Sequence, residues 1–126
     1  MSGNKSINSK TCACSSGSRY NRQVLFYPIG KAGQDRLAAG SVTIIGCGGL
    51  GSVSASNLAR AGIGSLRLVD RDEVDFSNLG RQVLYDEIDA RQSRPKALAA
   101  KQKLSLINSG ISVEAFNEEI NPLNIG

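Results

Sequence analysis

Hydrophobic residues along this chain fall into short runs separated by longer segments of mixed polarity. Three runs, SVTIIG, SLRLVD and ISVEAF, are rich in β-branched and aliphatic residues and are too short for helices. They predict β-strands at residues 41–46, 65–70 and 111–116. Because β-branched residues dominate the first run, we expect it to be a buried strand of a parallel sheet.

The segment between the first two predicted strands has the periodicity of a helix. Within residues 49–61, Leu50, Val53, Leu58 and Ala61 lie at helical spacing, and glycines follow directly. Most other residues of the segment are small. The pattern therefore predicts a helix that packs closely against a sheet.

Two further helices are predicted, with an irregular segment between them. Residues 30–40 fit a short helix that Gly40 ends, and Pro95 is suited to the first turn of a helix that continues toward Gly110. The polar stretch at 71–82 has no regular period and predicts a loop.

Strand, glycine-rich turn, helix, strand, helix and strand in this order predict an α/β fold. It is the β-α-β-α-β half of a doubly wound, Rossmann-like, mostly parallel sheet. Right-handed crossovers place the carboxyl ends of all three strands at one edge of the sheet, where ligands bind in such folds. With three strands and no second half, the sequence predicts part of a larger fold, apparently truncated.

Composition divides the chain into a leader at 1–18, predicted to be disordered, and one domain at 19–126. The first 19 residues carry Lys5, Lys10 and Arg19 without any acid, so they hold most of the net charge of +4. The nearly neutral remainder, with few aromatic residues, argues against nucleic acid as a partner. No apolar stretch is long enough for a membrane span or a signal peptide, so no membrane partner is expected.

Cysteine and histidine content limits the chemistry. The three cysteines, Cys12, Cys14 and Cys47, form neither a paired framework nor a C-x-x-C motif, which favours a reducing, cytoplasmic compartment. The chain contains no histidine. Serine–histidine and cysteine–histidine mechanisms are therefore excluded, and any catalysis has to proceed without imidazole.

The turn after the first strand, GCGGLGS, matches G-x-G-x-x-G between a strand and a helix. Gly46 permits the tight turn, Gly48 lets the backbone approach a phosphate, and Gly51 lets the helix pack on the strand. Asp70, at the end of the second strand, is placed to accept hydrogen bonds from ribose hydroxyls. The turn predicts an adenine nucleotide but does not distinguish NAD from ATP.

Cations near the same edge of the predicted sheet bear on that choice. A triphosphate under nucleophilic attack requires several cations and a metal ion, whereas a dinucleotide requires few. Asn78 and Arg81 follow the second strand, Lys96 begins a helix, and Arg22 lies near the start of the domain. Taken singly, each of these residues would ordinarily be a solvated surface residue. Their shared placement near one edge of the sheet favours ATP.

Four segments in order and spacing resemble a known family: RYNRQ (19–23), GCGGLGS (46–52), LVDRDEVDFSNLGRQ (68–82) and RPK (94–96). They are similar to the ATP-binding half of ubiquitin-activating-enzyme-like adenylyltransferases of the ThiF/MoeB/HesA type. The glycine motif alone is weak evidence. Joined to D-x-D-x-V-x-x-S-N-L-x-R-Q at this distance it is highly specific.

The resemblance implies ATP-dependent adenylation of the C-terminal glycine carboxylate of a ubiquitin-like sulfur-carrier protein of the ThiS/MoaD type. It implies Mg²⁺ beside ATP and catalytic roles for Arg22, Arg81 and Lys96, with Arg22 reaching into the partner subunit's site of a homodimer. The implied nucleotide-binding residues are Gly46, Gly48, Gly49, Gly51, Asp70, Ser77, Asn78, Leu79, Gly80, Arg81 and Lys96.

The sequence also departs from the family pattern. The metal-binding aspartate, the paired C-x-x-C motifs that bind zinc in many relatives and the region that receives the carrier do not fall within these 126 residues. No metal ligand is therefore assigned. Gly80 stands where many relatives have a larger residue, and Cys47 is interpreted as a small filler of the turn. Two alternatives stay open: an NAD-dependent oxidoreductase half-domain and a truncated, non-catalytic nucleotide-binding module.

Overall fold

Three parallel strands form a sheet in the order β1-β2-β3 in the computed structural model, which describes residues 19–123. The strands are β1 (Ser41–Ile45), β2 (Ser65–Val69) and β3 (Ser112–Phe116). β2 pairs in parallel with both neighbours, so that Ile44, Leu68 and Ala115 lie side by side. The predicted parallel sheet is confirmed, and its three carboxyl ends share one edge.

Five α-helices and one 3₁₀ helix accompany the sheet in the described part of the chain. They are α1 (Asn21–Leu25), α2 (Gly30–Ala39), α3 (Gly49–Ala61), the 3₁₀ helix (Phe76–Asn78), α4 (Glu87–Arg91) and α5 (Lys96–Ile107). Helices α2, α3 and α5 confirm the predicted helices, and α3 and α5 provide the two crossovers. The short helices α1 and α4 were not predicted, and the predicted loop at 71–82 contains the 3₁₀ helix.

The core lies between the sheet and helices α3 and α5. Leu66 and Leu68 of β2 and Leu104 of α5 are fully buried. Small residues on the two helices complete this layer, namely Ala55, Ala59, Ala97 and Ala100. Because alanine keeps a helix backbone close to its neighbour, the predicted close packing of α3 is confirmed.

The expectation that β1 is a buried strand is wrong for the described part of the chain. Ile45 is 62% exposed, and exposed residues alternate with half-buried ones along the strand. The physical reason is position: β1 is an edge strand, with β2 on one side and no strand on the other within residues 19–123. β2 is central and correspondingly buried.

The end of the sheet opposite the glycine-rich turn is closed by a polar cluster around α1. Nε2 of Gln23 and Nε2 of Gln34 both donate to the carbonyl of Ala61, each at 2.9 Å. Nδ2 of Asn108 donates to the hydroxyl of Tyr20 at 2.7 Å. These bonds attach α1 to the far ends of α3 and α5.

The predicted leader at 1–18, with Cys12 and Cys14, lies outside the described residues. Across residues 19–123, every helix falls short of the length and apolar content that crossing a bilayer requires.

Two glycines of the turn are required by geometry. Gly46 has φ of +93°, in the left-handed region that favours glycine. A Cβ on Gly51 would lie 1.8 Å from the carbonyl oxygen of Gly46, so the first turn of α3 touches the backbone it has just left. The predicted roles of both glycines in the turn and in helix packing fit this geometry.

We predict that Gly51→Ala destabilises the protein by more than about 2 kcal/mol, because the added carbon displaces backbone. Chemical denaturation measures the change. Gly49→Ala is the matched control, since a Cβ on Gly49 meets nothing within 4 Å, and its stability should stay at or above that of the parent chain. Equal stabilities for the two variants would contradict the assigned contact.

Candidate functional site

The glycine turn joins β1 to α3 at the carboxyl edge of the sheet. The N–H of Gly46 donates to the carbonyl of Val69 at 2.8 Å, which fixes the start of the turn against the end of β2. No side chain caps the N terminus of α3. Its first N–H groups and the positive end of its dipole therefore face outward, a suitable arrangement for an anion.

The peptide groups on either side of Cys47 are held by two side chains. The N–H of Cys47 donates to Oδ2 of Asp70 at 2.7 Å, and its carbonyl accepts a hydrogen bond from the Tyr85 hydroxyl. Oδ1 of Asp70 accepts from the N–H of Asp72 at 2.7 Å. The Asp70 carboxylate thus shapes the turn and retains lone pairs for another donor; its predicted contact with ribose stays a prediction.

Burial keeps both the Cys47 thiol and the Tyr85 hydroxyl protonated. Burial, with a smaller contribution from the charge of Asp70, raises the pKa of the Cys47 thiol from 9.0 to about 12. Burial likewise raises the pKa of Tyr85 far above its usual value, so its hydroxyl remains a donor at all physiological pH values. Since a neutral thiol is a poor nucleophile, the interpretation of Cys47 as a filler fits.

The 3₁₀ helix carries Asn78 to the same edge in a fixed orientation. Oδ1 of Asn78 accepts the N–H of Asp75 at 2.8 Å, and Asp75 in turn accepts the N–H and hydroxyl of Ser77 at 2.9 and 2.6 Å. The Ser77 hydroxyl is the main reason that the pKa of Asp75 is lowered. Because the Asn78 oxygen is occupied, its amide nitrogen is the end left to donate to a ligand.

Lys96 begins α5 beside this helix. Its backbone N–H donates to the carbonyl of Asp72 at 2.8 Å, and the residue is only 7% exposed. Its side chain lines an open cleft of about 390 Å³ together with Ser77 and Asn78. The ammonium makes no hydrogen bond or ion pair with any residue in 19–123, although the acidic residues Asp72, Glu73 and Asp75 line the same cleft.

The remaining residues of the predicted nucleotide segment differ in exposure. Arg81 and Gly80 are exposed at the surface, and nothing lies within 4 Å of a Cβ built on Gly80. Leu79 instead packs against the core. The structure therefore brings Ser77, Asn78 and Lys96 together in one cleft, whereas nucleotide contacts by Leu79, Gly80 and Arg81 stay predictions.

Arg22 lies at the other end of the sheet. It belongs to α1, and its neighbour Gln23 donates a hydrogen bond to the carbonyl of Ala61, the last residue of α3. The glycine turn lies at the opposite end of α3, next to its first residue, Gly49. The length of α3 separates the two ends by about 18 Å. Arg22 therefore cannot reach a nucleotide at the glycine turn of its own chain.

The donor set for a divalent metal is incomplete in this part of the chain. Among residues 19–123, no three His, Cys, Asp or Glu side chains lie close enough to hold a metal ion. The described residues alone thus do not fit the Mg²⁺ that the resemblance implies.

Two buried residues at the turn were not found from the sequence. Tyr85 stands in the apolar run VLY, where nothing indicates a hydrogen bond. Gln82 follows Arg81 in the motif S-N-L-x-R-Q, which assigns it no role of its own. Both are nearly fully buried, at 7% and 3% exposed. The motif position of Gln82 was the one available signal.

Comparison with known proteins is consistent with this geometry. Residues 20–125 match the model of the ThiF family. The sulfur carrier protein ThiS adenylyltransferase of Bacillus subtilis is 48% identical over 107 residues, which cover 85% of this chain and 32% of that protein. The molybdopterin-synthase adenylyltransferase of Haemophilus influenzae is 44% identical over 102 residues, covering 81% of this chain and 41% of that protein.

A solved structure extends the comparison to a bound nucleotide. The crystal structure of E. coli MccB with ATP matches with a TM-score of 0.76 at 38% identity, over 84% of this chain and 32% of that chain. The present chain thus spans about a third to two fifths of the length of each of these proteins.

We predict that Tyr85→Phe lowers the free energy of unfolding by about 1–3 kcal/mol, because the buried Cys47 carbonyl loses its donor. Urea denaturation measures this free energy. Tyr27→Phe removes the same hydroxyl from a side chain that is 95% exposed and should leave stability unchanged. A Tyr85→Phe variant as stable as Tyr27→Phe would show that the hydroxyl does not support the turn.

Proposed function

The chain belongs to the ThiF family, and we propose that it is the nucleotide-binding part of an enzyme that adenylates a ubiquitin-like sulfur-carrier protein. The reaction joins AMP from ATP to the carrier's C-terminal glycine carboxylate and releases pyrophosphate. Lys96, whose side chain lines an open cleft with Ser77 and Asn78 and forms no ion pair in residues 19–123, is the observation that carries the proposal. The names of the Bacillus and Haemophilus relatives support the carrier as substrate.

ATP is favoured over NAD by the position of Lys96. A dinucleotide would place its two phosphates on the N terminus of α3 and would not reach the Lys96 ammonium. A triphosphate chain that extends from the turn toward Asn78 would reach it. The ATP bound to the similar MccB structure supports the same choice.

The proposed chemistry suits a chain without histidine. The carrier's carboxylate is ionised at neutral pH, so its oxygen attacks the α-phosphorus without a general base, and the bond from that phosphorus to the bridging oxygen of pyrophosphate breaks. The barrier comes from bringing two anions together. Lys96, Arg81 and the N terminus of α3 oppose this repulsion, and fixed geometry supplies proximity.

A homodimer completes the proposed site. Arg22 lies beside the end of α3 that is opposite its own glycine turn, and the residue is exposed. We propose that it supplies a cation to the nucleotide of a second copy, which gives two composite sites per dimer. The cytoplasmic location stays a prediction that rests on the cysteine pattern.

Pyrophosphate exchange into ATP tests the proposed function, measured with a ThiS- or MoaD-type carrier on this chain and on any longer form that its gene encodes. We predict exchange that depends on the carrier and falls about 100-fold or more in Lys96→Ala, because a cation at the reacting phosphates is lost. Lys101→Ala removes an exposed lysine from the same helix and should exchange normally.

Three outcomes of this assay distinguish the alternatives. Exchange by a longer form alone assigns the adenylation to the whole protein and makes this chain its nucleotide-binding module. Thermal stabilisation by NAD and not by ATP, without exchange, favours the oxidoreductase alternative. Stabilisation by ATP without exchange in any form favours the non-catalytic module.

We predict that Arg22→Ala abolishes exchange and leaves ATP affinity nearly unchanged, because its cation acts across the dimer. Mixing Arg22→Ala with Lys96→Ala should restore up to about a quarter of the parent activity, since half of the dimers are mixed and each has one intact site. Calorimetry measures ATP affinity, and exchange measures recovery. No recovery on mixing, with both variants folded, would remove Arg22 from the partner's site.

A further inference from the structure

Gln82 differs from the other buried polar side chains of the described region. It is 3% exposed, and its Oε1 is the one buried side-chain nitrogen or oxygen in residues 19–123 that has no hydrogen-bond partner. Buried amides are nearly always paired, and an unpaired one destabilises the fold. Oε1 only accepts hydrogen bonds and cannot pair with the oxygen of an anion, so the end of this amide that can donate to an anionic ligand is Nε2.

The backbone holds Gln82 firmly in place beneath the glycine turn. Its N–H donates to the carbonyl of Asn78 at 2.9 Å, and its carbonyl accepts from Tyr85 at 3.3 Å. Nε2 lies 3.7 Å from the point where a Cβ on Gly48 would stand. Nothing else comes within 4 Å of that point, so the absence of a side chain on Gly48 leaves the amide nitrogen facing the turn.

The N terminus of α3 lies at the same turn, with no side-chain cap. An anion bound to these N–H groups would lie over Gly48, next to Nε2 of Gln82. We infer that Gln82 is a nucleotide-binding residue whose amide nitrogen donates a hydrogen bond to the phosphate chain held at the glycine turn. This inference rests on the proposed function, because it takes the bound anion to be the phosphate chain of ATP.

Gln34 provides a matched comparison at the opposite end of the sheet. It is 2% exposed, but both ends of its amide are paired: Oε1 accepts from Nε2 of Gln23 at 2.6 Å, and Nε2 donates to Ala61 at 2.9 Å. Methionine has nearly the shape of glutamine without its hydrogen bonds. The same substitution should therefore have opposite effects on stability at the two positions.

The test replaces each glutamine by methionine and measures the unfolding midpoint and the affinity for ATP and for NAD by calorimetry. Gln82→Met should be as stable as the parent chain or more stable, yet bind ATP about tenfold or more weakly. Gln82→Glu, which replaces the donor with a negative oxygen, should bind more weakly still. Gln34→Met should lose stability and keep the parent affinity.

Each result bears on the inference separately from the proposed function. Unchanged ATP affinity in Gln82→Met would overturn the inference and leave the proposed function standing. Lower stability or failure to fold in Gln82→Met would also overturn it, since the amide would then be paired within the fold. A parent chain that binds NAD and not ATP, with the NAD affinity lost in Gln82→Met, would overturn the proposed function and support the donor role. Binding of neither nucleotide would overturn both.

Discussion

Two hydrogen bonds on Cys47, one from its N–H to Asp70 and one to its carbonyl from Tyr85, hold the carboxyl edge of the sheet together. Asp70 follows β2, and Tyr85 follows the 3₁₀ helix, so three separate parts of the chain meet at one residue. Both side chains act where burial strengthens a hydrogen bond. The direction of α3, the outward-facing N–H groups and the position of Gln82 all follow from this fixed turn.

The contrast between the two ends of the sheet separates stability from binding. Around α1, the amides of Gln23, Gln34 and Asn108 find partners within the fold. At the carboxyl edge, Gln82 is just as buried, but its Oε1 has no hydrogen-bond partner in the described region. An unpaired buried acceptor of this kind leaves about 1–3 kcal/mol unrecovered. The less completely paired end of the sheet is therefore the one at which the proposed nucleotide site lies.

Local pattern was enough to predict the three strands and the helices α2, α3 and α5, because β-branched runs and flanking glycines determine them without distant contacts. The five-residue helices α1 and α4 are too short for a periodic signal. The burial of β1 was wrongly predicted, since burial depends on what lies beside a strand and not on its composition. The sequence predicted that Asp70 lies at the carboxyl edge of the sheet. Its hydrogen bond to Cys47 could not be predicted, because the two residues are 23 positions apart and neither local sequence indicates the contact.

The exposed side of β1 has a consequence for handling the protein. Its outer N–H and carbonyl groups face no strand in residues 19–123, and its sequence SVTII contains none of the charges or prolines that protect natural sheet edges. Such an edge can add a strand from any other chain, including another copy of itself. Self-association through β1 would compete with the proposed dimer around Arg22.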